Sequence, residues 1–408
     1  MALTDQQIQN LGRDALQRAA AGDFISAEEM FARIVEARPN MGQALHLLGQ
    51  VRLKLGRFAE AREPLERAAQ FLPRDVAAQT NFAGCLIQLG LHEQALLALA
   101  KAVRLKPDDA VIAYNTGRTL EALGRAEEAE RAYDRALSID HRLLPALSAR
   151  AELLAARGEW AGALADLETA LVSQPDDPRL RLRRGELMLR QGDWWRGLGD
   201  YEARLEIPGE RYAPDLPRWQ GEELDGRLLL YPEQADIESD AALRDTLMLA
   251  RGVDAVVQCG ATVAGWLDGP TIRRGEPLDG FVAAAPLRSL PLLLNWTREA
   301  LPPPARLSRK PEPSSRIGWF TAAEPPTGLA GLDLARTPEE IPTCRLVVGD
   351  DTWPAHAAAA LGIPTVVLVP STADWLWGPN LGTSPWYASA ELLRDDDREG
   401  LAARLSGC

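Results

Sequence analysis

The stretch GRFAEAREPLERAAQFLPRD, Gly56 to Asp75, is answered one period later by GLHEQALLALAKAVRLKPDD, Gly90 to Asp109. Laid over each other without a gap, the two keep Gly56 and Gly90, Ala61 and Ala95, Leu65 and Leu99, Ala68 and Ala102, and Pro73 and Pro107 in register, each pair 34 residues apart. The same phase runs outward in both directions. Pro39 and Pro175 lie on it, with His141 at the missing rung, and Gly124, Gly158 and Gly192 continue the glycines. Ala27, Ala129 and Ala163 continue the first alanine, replaced by Gly197 in the sixth unit. Phe31, Tyr133, Leu167 and Tyr201 follow four residues later, and Ala136 and Ala170 complete the set. Small residues at a fixed phase let two antiparallel helices approach closely, and the large residue fills the space beside them. The glycine makes the turn between the helices, and the proline stops the second helix.

This pattern resembles the tetratricopeptide repeat, a 34-residue helix pair. Five full units fit between about residues 8 and 177, and a sixth ends near Tyr201. Because each unit buries its apolar faces against its neighbours, the expectation is an all-α superhelix with a concave groove and no strand before residue 200. The resemblance implies a protein or peptide partner in that groove. In the better-known relatives, asparagines on the inner helices hold an extended peptide by its main chain. Asn81 and Asn115 occupy matching positions in consecutive units, where Arg13, Leu47, Ala149 and Arg183 stand elsewhere. Tyr114 and His46 also lie on inner-helix positions. The alternative is two asparagines placed by chance on a solvated helix face.

After Tyr201 the period is lost. Prolines 208, 214 and 217 mark a connector, packed through Trp219. Short branched runs then read as buried strands at 227–231, 254–259, 316–320, 345–348 and 365–369, with helices at 240–251 and 354–361. Strand, helix and strand in alternation imply parallel sheets. The proline-rich stretch 301–313 would divide two Rossmann-like lobes and leave a hinged cleft. The expected organisation is therefore 1–205 repeats, 206–224 connector, 225–310 first lobe and 311–408 second lobe, an α superhelix followed by α/β.

The segment LVVGDDTWPAHAAAALGIPTVVLVP, Leu346 to Pro370, followed by Trp375-Leu376-Trp377 and Ser384-Pro385-Trp386-Tyr387, resembles the carboxy-terminal lobe of bacterial repeat-fused glycosyltransferases related to the heptosyltransferases. That resemblance implies two lobes of the GT-B type and a nucleotide-sugar donor, with no other cofactor. It places Asp351, Thr352 and His356 at the donor diphosphate, where a helix beginning near Pro354 presents its amides. The competing reading is a capped structural helix with a histidine packed against Trp353 or Trp375. Relatives follow their first strand with Glu-Gln-Gly-x-Gly-Asp. This chain reads Glu233-Gln234-Ala235-Asp236-Ile237-Glu238, without the glycines and with Glu238 where the catalytic aspartate would stand. The Trp319 to Pro326 segment likewise lacks the glycine, asparagine and basic residues of the relatives.

Two functions follow: sugar transfer to a protein held by the repeats, with a surface or flagellar protein as the acceptor suggested by related repeat-fused chains, or a catalytically silent pseudo-glycosyltransferase serving as an interaction scaffold or chaperone. The formal charge of −13 and the scattered arginines exclude nucleic acid as a partner. Four isolated cysteines, a polar start and no apolar run of about 18 residues point to a cytoplasmic chain without a transmembrane segment or metal site.

Overall fold

The computed structural model describes residues 3–209, 211–312, 314–322, 333–370, 375–377 and 382–405. The Ala323 to Pro326 part of the Trp319 to Pro326 segment lies outside the described residues, as do Ala373, Asp374 and Gly378 beside the Trp375 to Trp377 run. The chain divides into two compact units, Met1–Pro175 and Asp176–Cys408.

The first unit is five helix pairs: α1 Asp5–Ala20 with α2 Phe24–Ala37, α3 Gly42–Lys54 with α4 Phe58–Phe71, α5 Val76–Gln88 with α6 His92–Leu105, α7 Ala110–Ala122 with α8 Ala126–Ile139, and α9 Leu144–Ala156 with α10 Trp160–Ser173. Each pair turns on a glycine in the left-handed region, from Gly22 at φ 83° to Gly158 at φ 79°. Only there can the next amide reach back five residues, as Arg57 N does to the Arg52 carbonyl at 2.9 Å and Leu91 N to the Leu86 carbonyl at 2.8 Å. The alanine column is fully buried, as expected from its phase: Ala27, Ala61, Ala95, Ala129 and Ala163 are each 0 % exposed. A second small column, on the first helices, escaped the sequence reading. It runs Ala15, Gly49, Ala83, Gly117, Ala151, and faces the large residue of the second helix. A Cβ on Gly49 would stand 2.4 Å from Leu65 Cγ, and one on Gly117 would stand 2.5 Å from the Tyr133 ring.

The second unit opens with a sixth pair, α11 Pro178–Arg190 and α12 Trp194–Tyr201. Twelve helices thus precede the first strand among the described residues, as the 34-residue phase requires. The pair clusters with the sheets and not with the earlier repeats, so the compact division falls near 175 where the sequence reading placed it at 205. The reason is aromatic. Trp194 and Tyr201, on the repeat phase, pack against Trp375 at ring distances of 5.7 and 5.3 Å.

Two sheets follow. The first holds β1 Arg227–Tyr231, β2 Val256–Gln258, β3 Thr271–Ile272 and β4 Phe281–Pro286, ordered β3-β2-β1-β4 and parallel throughout. The second holds β5 Arg316–Phe320, β6 Leu334–Ala335, β7 Cys344–Asp350, β8 Thr365–Val369, β9 Gly382–Thr383 and β10 Ala390–Arg394, ordered β6-β5-β7-β8-β10-β9, with only β9 antiparallel. Alternate residues serve opposite cores, as period two demands: Leu228 and Leu230 enter one cluster, Leu229 and Tyr231 another. The connector is pinned beside β4, where Trp219 N donates to the Ala284 carbonyl at 2.9 Å.

Around the sheets lie α13 Asp240–Leu249, α14 Ala261–Ala264, α15 Leu290–Leu293, α16 Trp353–Ala360 and α17 Arg398–Leu405. Helix α13 packs against α16. Leu243, Leu247, Val263 and Trp266 share one core with Ile341, Val347, Trp353 and Ala357. The hinged cleft expected between two lobes is therefore occupied by apolar side chains, with Trp266 and Trp353 edge to face at 5.8 Å.

Candidate functional site

The groove positions come first. Successive first helices touch one another, α3 to α5, α5 to α7 and α7 to α9, so residues 34 apart on them form columns. His46, on α3, and Asn81, on α5, meet: the Asn81 amide nitrogen lies 2.8 Å from His46 Nε2. Burial is the leading cause that lowers the His46 pKa, so its ring is neutral at pH 7 and Nε2 accepts from the amide. One Asn81 N–H is thus held, leaving its second N–H and its carbonyl for a ligand. Asn81 also lines a cavity of about 560 Å³ with Leu16, Phe24, Phe31, Leu47 and Val51. Tyr114 lines another of about 520 Å³ with Arg118, Glu121 and Glu152. Its ring leans on Tyr133 at 6.1 Å, and Tyr133 in turn donates to Glu121 Oε2 at 2.6 Å. Asn115 is half-buried beside Tyr114, and its main-chain carbonyl accepts from the Thr119 hydroxyl at 2.7 Å. Of the four groove candidates, the structure brings His46 and Asn81 into contact and leaves Tyr114 and Asn115 one repeat further along the stack.

The expected donor residues sit differently. Asp351 follows β7, and its carboxylate is surrounded by protein donors. Oδ1 accepts from His356 Nε2 at 2.9 Å, and Oδ2 from Arg244 at 3.0 Å and Trp377 Nε1 at 3.0 Å. His356 is 1 % exposed, with Trp377 and Tyr387 against its ring at 5.3 and 5.8 Å. Desolvation dominates and lowers the His356 pKa, so the imidazole is neutral and Nε2–H donates to an ionised Asp351. These donors outweigh burial at Asp351 and draw its carboxyl down to about 2. Thr352 is the half-buried N-cap residue of α16, and its side chain makes no capping bond. The histidine packs against Trp377 and Tyr387, not against the Trp353 or Trp375 of the competing reading, and the helix that reading took as capped has no side-chain cap.

The Glu233 to Glu238 segment is engaged in the same way. Arg204, 3 % exposed, donates to Glu233 Oε2 from Nε at 3.1 Å and from Nη2 at 3.0 Å. Gln234 donates to Asp245 at 2.8 Å. Glu238 does not project as a free base: its two oxygens accept from the amides of Ala261 and Thr262, capping the start of α14. Sequence reasoning missed the charges that organise the site, Arg244, Asp245 and Arg288. Arg288 Nε donates to Asp245 at 2.7 Å, and its Nη1 donates to the Tyr201 hydroxyl at 2.9 Å. A signal existed: Arg244 and Asp245 are charged residues inside a helix read as packed on a sheet.

The comparisons with known proteins bear on the helical part. The family model for the anaphase-promoting complex, cyclosome, subunit 3, matches residues 21–102, and that for the tetratricopeptide repeat matches 85–143 and 148–211. No curated protein matches the chain. Among solved structures, a thermophilic repeat protein of Thermus thermophilus is 28 % identical, over 45 % of this chain and 99 % of that one, with a TM-score of 0.36. A tetratricopeptide repeat protein from Parabacteroides merdae is 22 % identical over 50 % and 82 %, with a TM-score of 0.44. The pilF protein of Pseudomonas aeruginosa is 18 % identical over 50 % and 94 %, with a TM-score of 0.45. No helix among the described residues is long and apolar enough to cross a membrane.

Proposed function

We propose that in this tetratricopeptide-repeat protein, a scaffold for protein partners, the groove around His46, Asn81, Tyr114 and Asn115 binds an extended protein segment, and that the sheets act as a structural module without sugar transfer. The observation that carries this reading is the burial of Asp351 and His356 in mutual bonds, with Glu238 spent on the start of α14. Of the residues that would meet a donor or an acceptor, Asp351, His356 and Glu238 are occupied by protein. The three described cysteines, Cys85, Cys259 and Cys344, are unpaired and buried, which supports the reducing cytoplasm as the location.

The reading is tested by panning a displayed peptide library on the full chain and measuring a recovered peptide against Asn81→Ala, Asn115→Ala. Losing two amide bonds of roughly 0.5–1.5 kcal/mol each gives at least a several-fold weaker complex. Unchanged affinity with an intact fold contradicts it.

A second reading keeps transfer from a nucleotide-sugar donor to a protein held by the repeats, such as a surface or flagellar protein. One observation favours it: the Thr352 hydroxyl makes no capping bond at the start of α16, where a phosphate would sit. It requires His356 to leave Asp351 and Glu238 to leave α14. Saturable binding of a nucleotide sugar, with turnover lost in Glu238→Gln, would establish it.

A further inference from the structure

We propose that the cavity between α12 and the segment after α15 is a binding site for a neutral sugar ring. Two adjacent tryptophans on α12 behave in opposite ways. Trp194 is 5 % exposed, whereas Trp195 is 90 % exposed, an indole that the fold leaves in water. Both line a cavity of about 500 Å³ whose far wall carries Trp296, Asn295, Arg298 and Glu299. That volume lies within the range of small-molecule sites, and its mixture of aromatic wall and few polar groups is their usual make-up.

The chemistry of the wall selects the ligand. An open indole face suits the C–H face of a pyranose, by the apolar contact aromatic rings provide. An amide, a guanidinium and a carboxylate supply donors and acceptors in planar arrays, which match neighbouring hydroxyls. Arg298 is held for this by its own bond, Nη2 to the Trp377 carbonyl at 3.2 Å. Asp193, Arg298 and Glu299 give the lining a formal charge of −1, which repels a phosphate and leaves a neutral ligand favoured. Within the wall, the buried indole N–H of Trp194 has no hydrogen-bond partner among the described residues. A proline-rich peptide would also stack on Trp195, but its backbone carbonyls leave the Glu299 acceptor unmatched.

The test is calorimetric titration of the full chain with maltotriose, xylotriose and chitotriose, and with a proline-rich peptide as the comparison. At least one trisaccharide is expected to bind saturably, with Trp195→Ala weakening it about tenfold or more and Trp195→Phe retaining most of the affinity. Because Trp195 is exposed, the helical circular dichroism of both variants should match the parent. Heat from none of the sugars, equal affinity in Trp195→Ala, or saturable binding of the proline-rich peptide alone would overturn the proposal.

Discussion

The first unit and the second solve the same problem, burying apolar faces, by opposite means. In the repeats every important contact is between neighbours: Leu65 meets Gly49, Tyr133 meets Gly117, and the next unit repeats the arrangement. In the sheet unit the decisive contacts join distant segments, Arg244 to Asp351 and Arg288 to Tyr201, and they are ionic or polar in a low-dielectric interior. A stack held by local packing tolerates a change in one unit. A core held by buried charges does not, because each charge depends on its partner.

The largest effect should therefore come from Asp245→Ala. Asp245 is 1 % exposed and accepts from Arg288, Arg244 and Gln234. Removing it takes a fully buried carboxylate away from two half-buried guanidinium groups, at about 3–5 kcal/mol. Denaturant unfolding should show the second unit lost early while most helical signal survives. A single transition shifted by less than about 1 kcal/mol would break the contrast.

Acid should act next, and on the second unit. The Asp351 carboxyl lies at about 2 in the fold against an ordinary value of 3.8. A lowered carboxylate contributes stability above about pH 4 and loses it as pH falls from about 4 to about 2, worth about 2 kcal/mol. His356 is neutral and buried, so the unfolded chain gains protons first as pH drops below 6.5. Stability of this unit should begin to fall there, and Asp351→Asn should flatten the lower limb. A melting temperature that does not change between pH 7 and pH 3 contradicts both assignments.

Smaller effects sharpen the comparison within the repeats. Gly117→Ala drives a Cβ to 2.5 Å from the Tyr133 ring, and overpacking of about 1–3 kcal/mol outweighs a helix-propensity gain of about 1 kcal/mol. Gly84→Ala, on α5, meets nothing within 4 Å and should stabilise by roughly 0.5–1 kcal/mol. Equal melting shifts in the two variants would show that the small column does not set the helix spacing.

The sequence made the repeats legible because each position states its neighbour through the period, down to the turn glycines. Five strands were also readable as branched runs. Three coincide with β1, β5 and β8, while β2 is shorter than its run and β7 longer. The strand β4, FVAAAP, was missed because its alanines carry no strand signal and its place beside β1 is set across the chain. The fate of Asp351, His356 and Glu238 was not legible for the same reason. A motif gives their order along the chain, but Arg244, Trp377 and the start of α14 decide where they point.

The most direct test follows the ring signals of His356 by nuclear magnetic resonance while nucleotide diphosphates and their sugars are added. The imidazole is expected to be neutral, with Nε2 protonated toward Asp351, and to be unmoved by any of them at millimolar concentration. A saturable shift of the His356 signals, abolished in Thr352→Ala, would place the ligand at the start of α16 and contradict it.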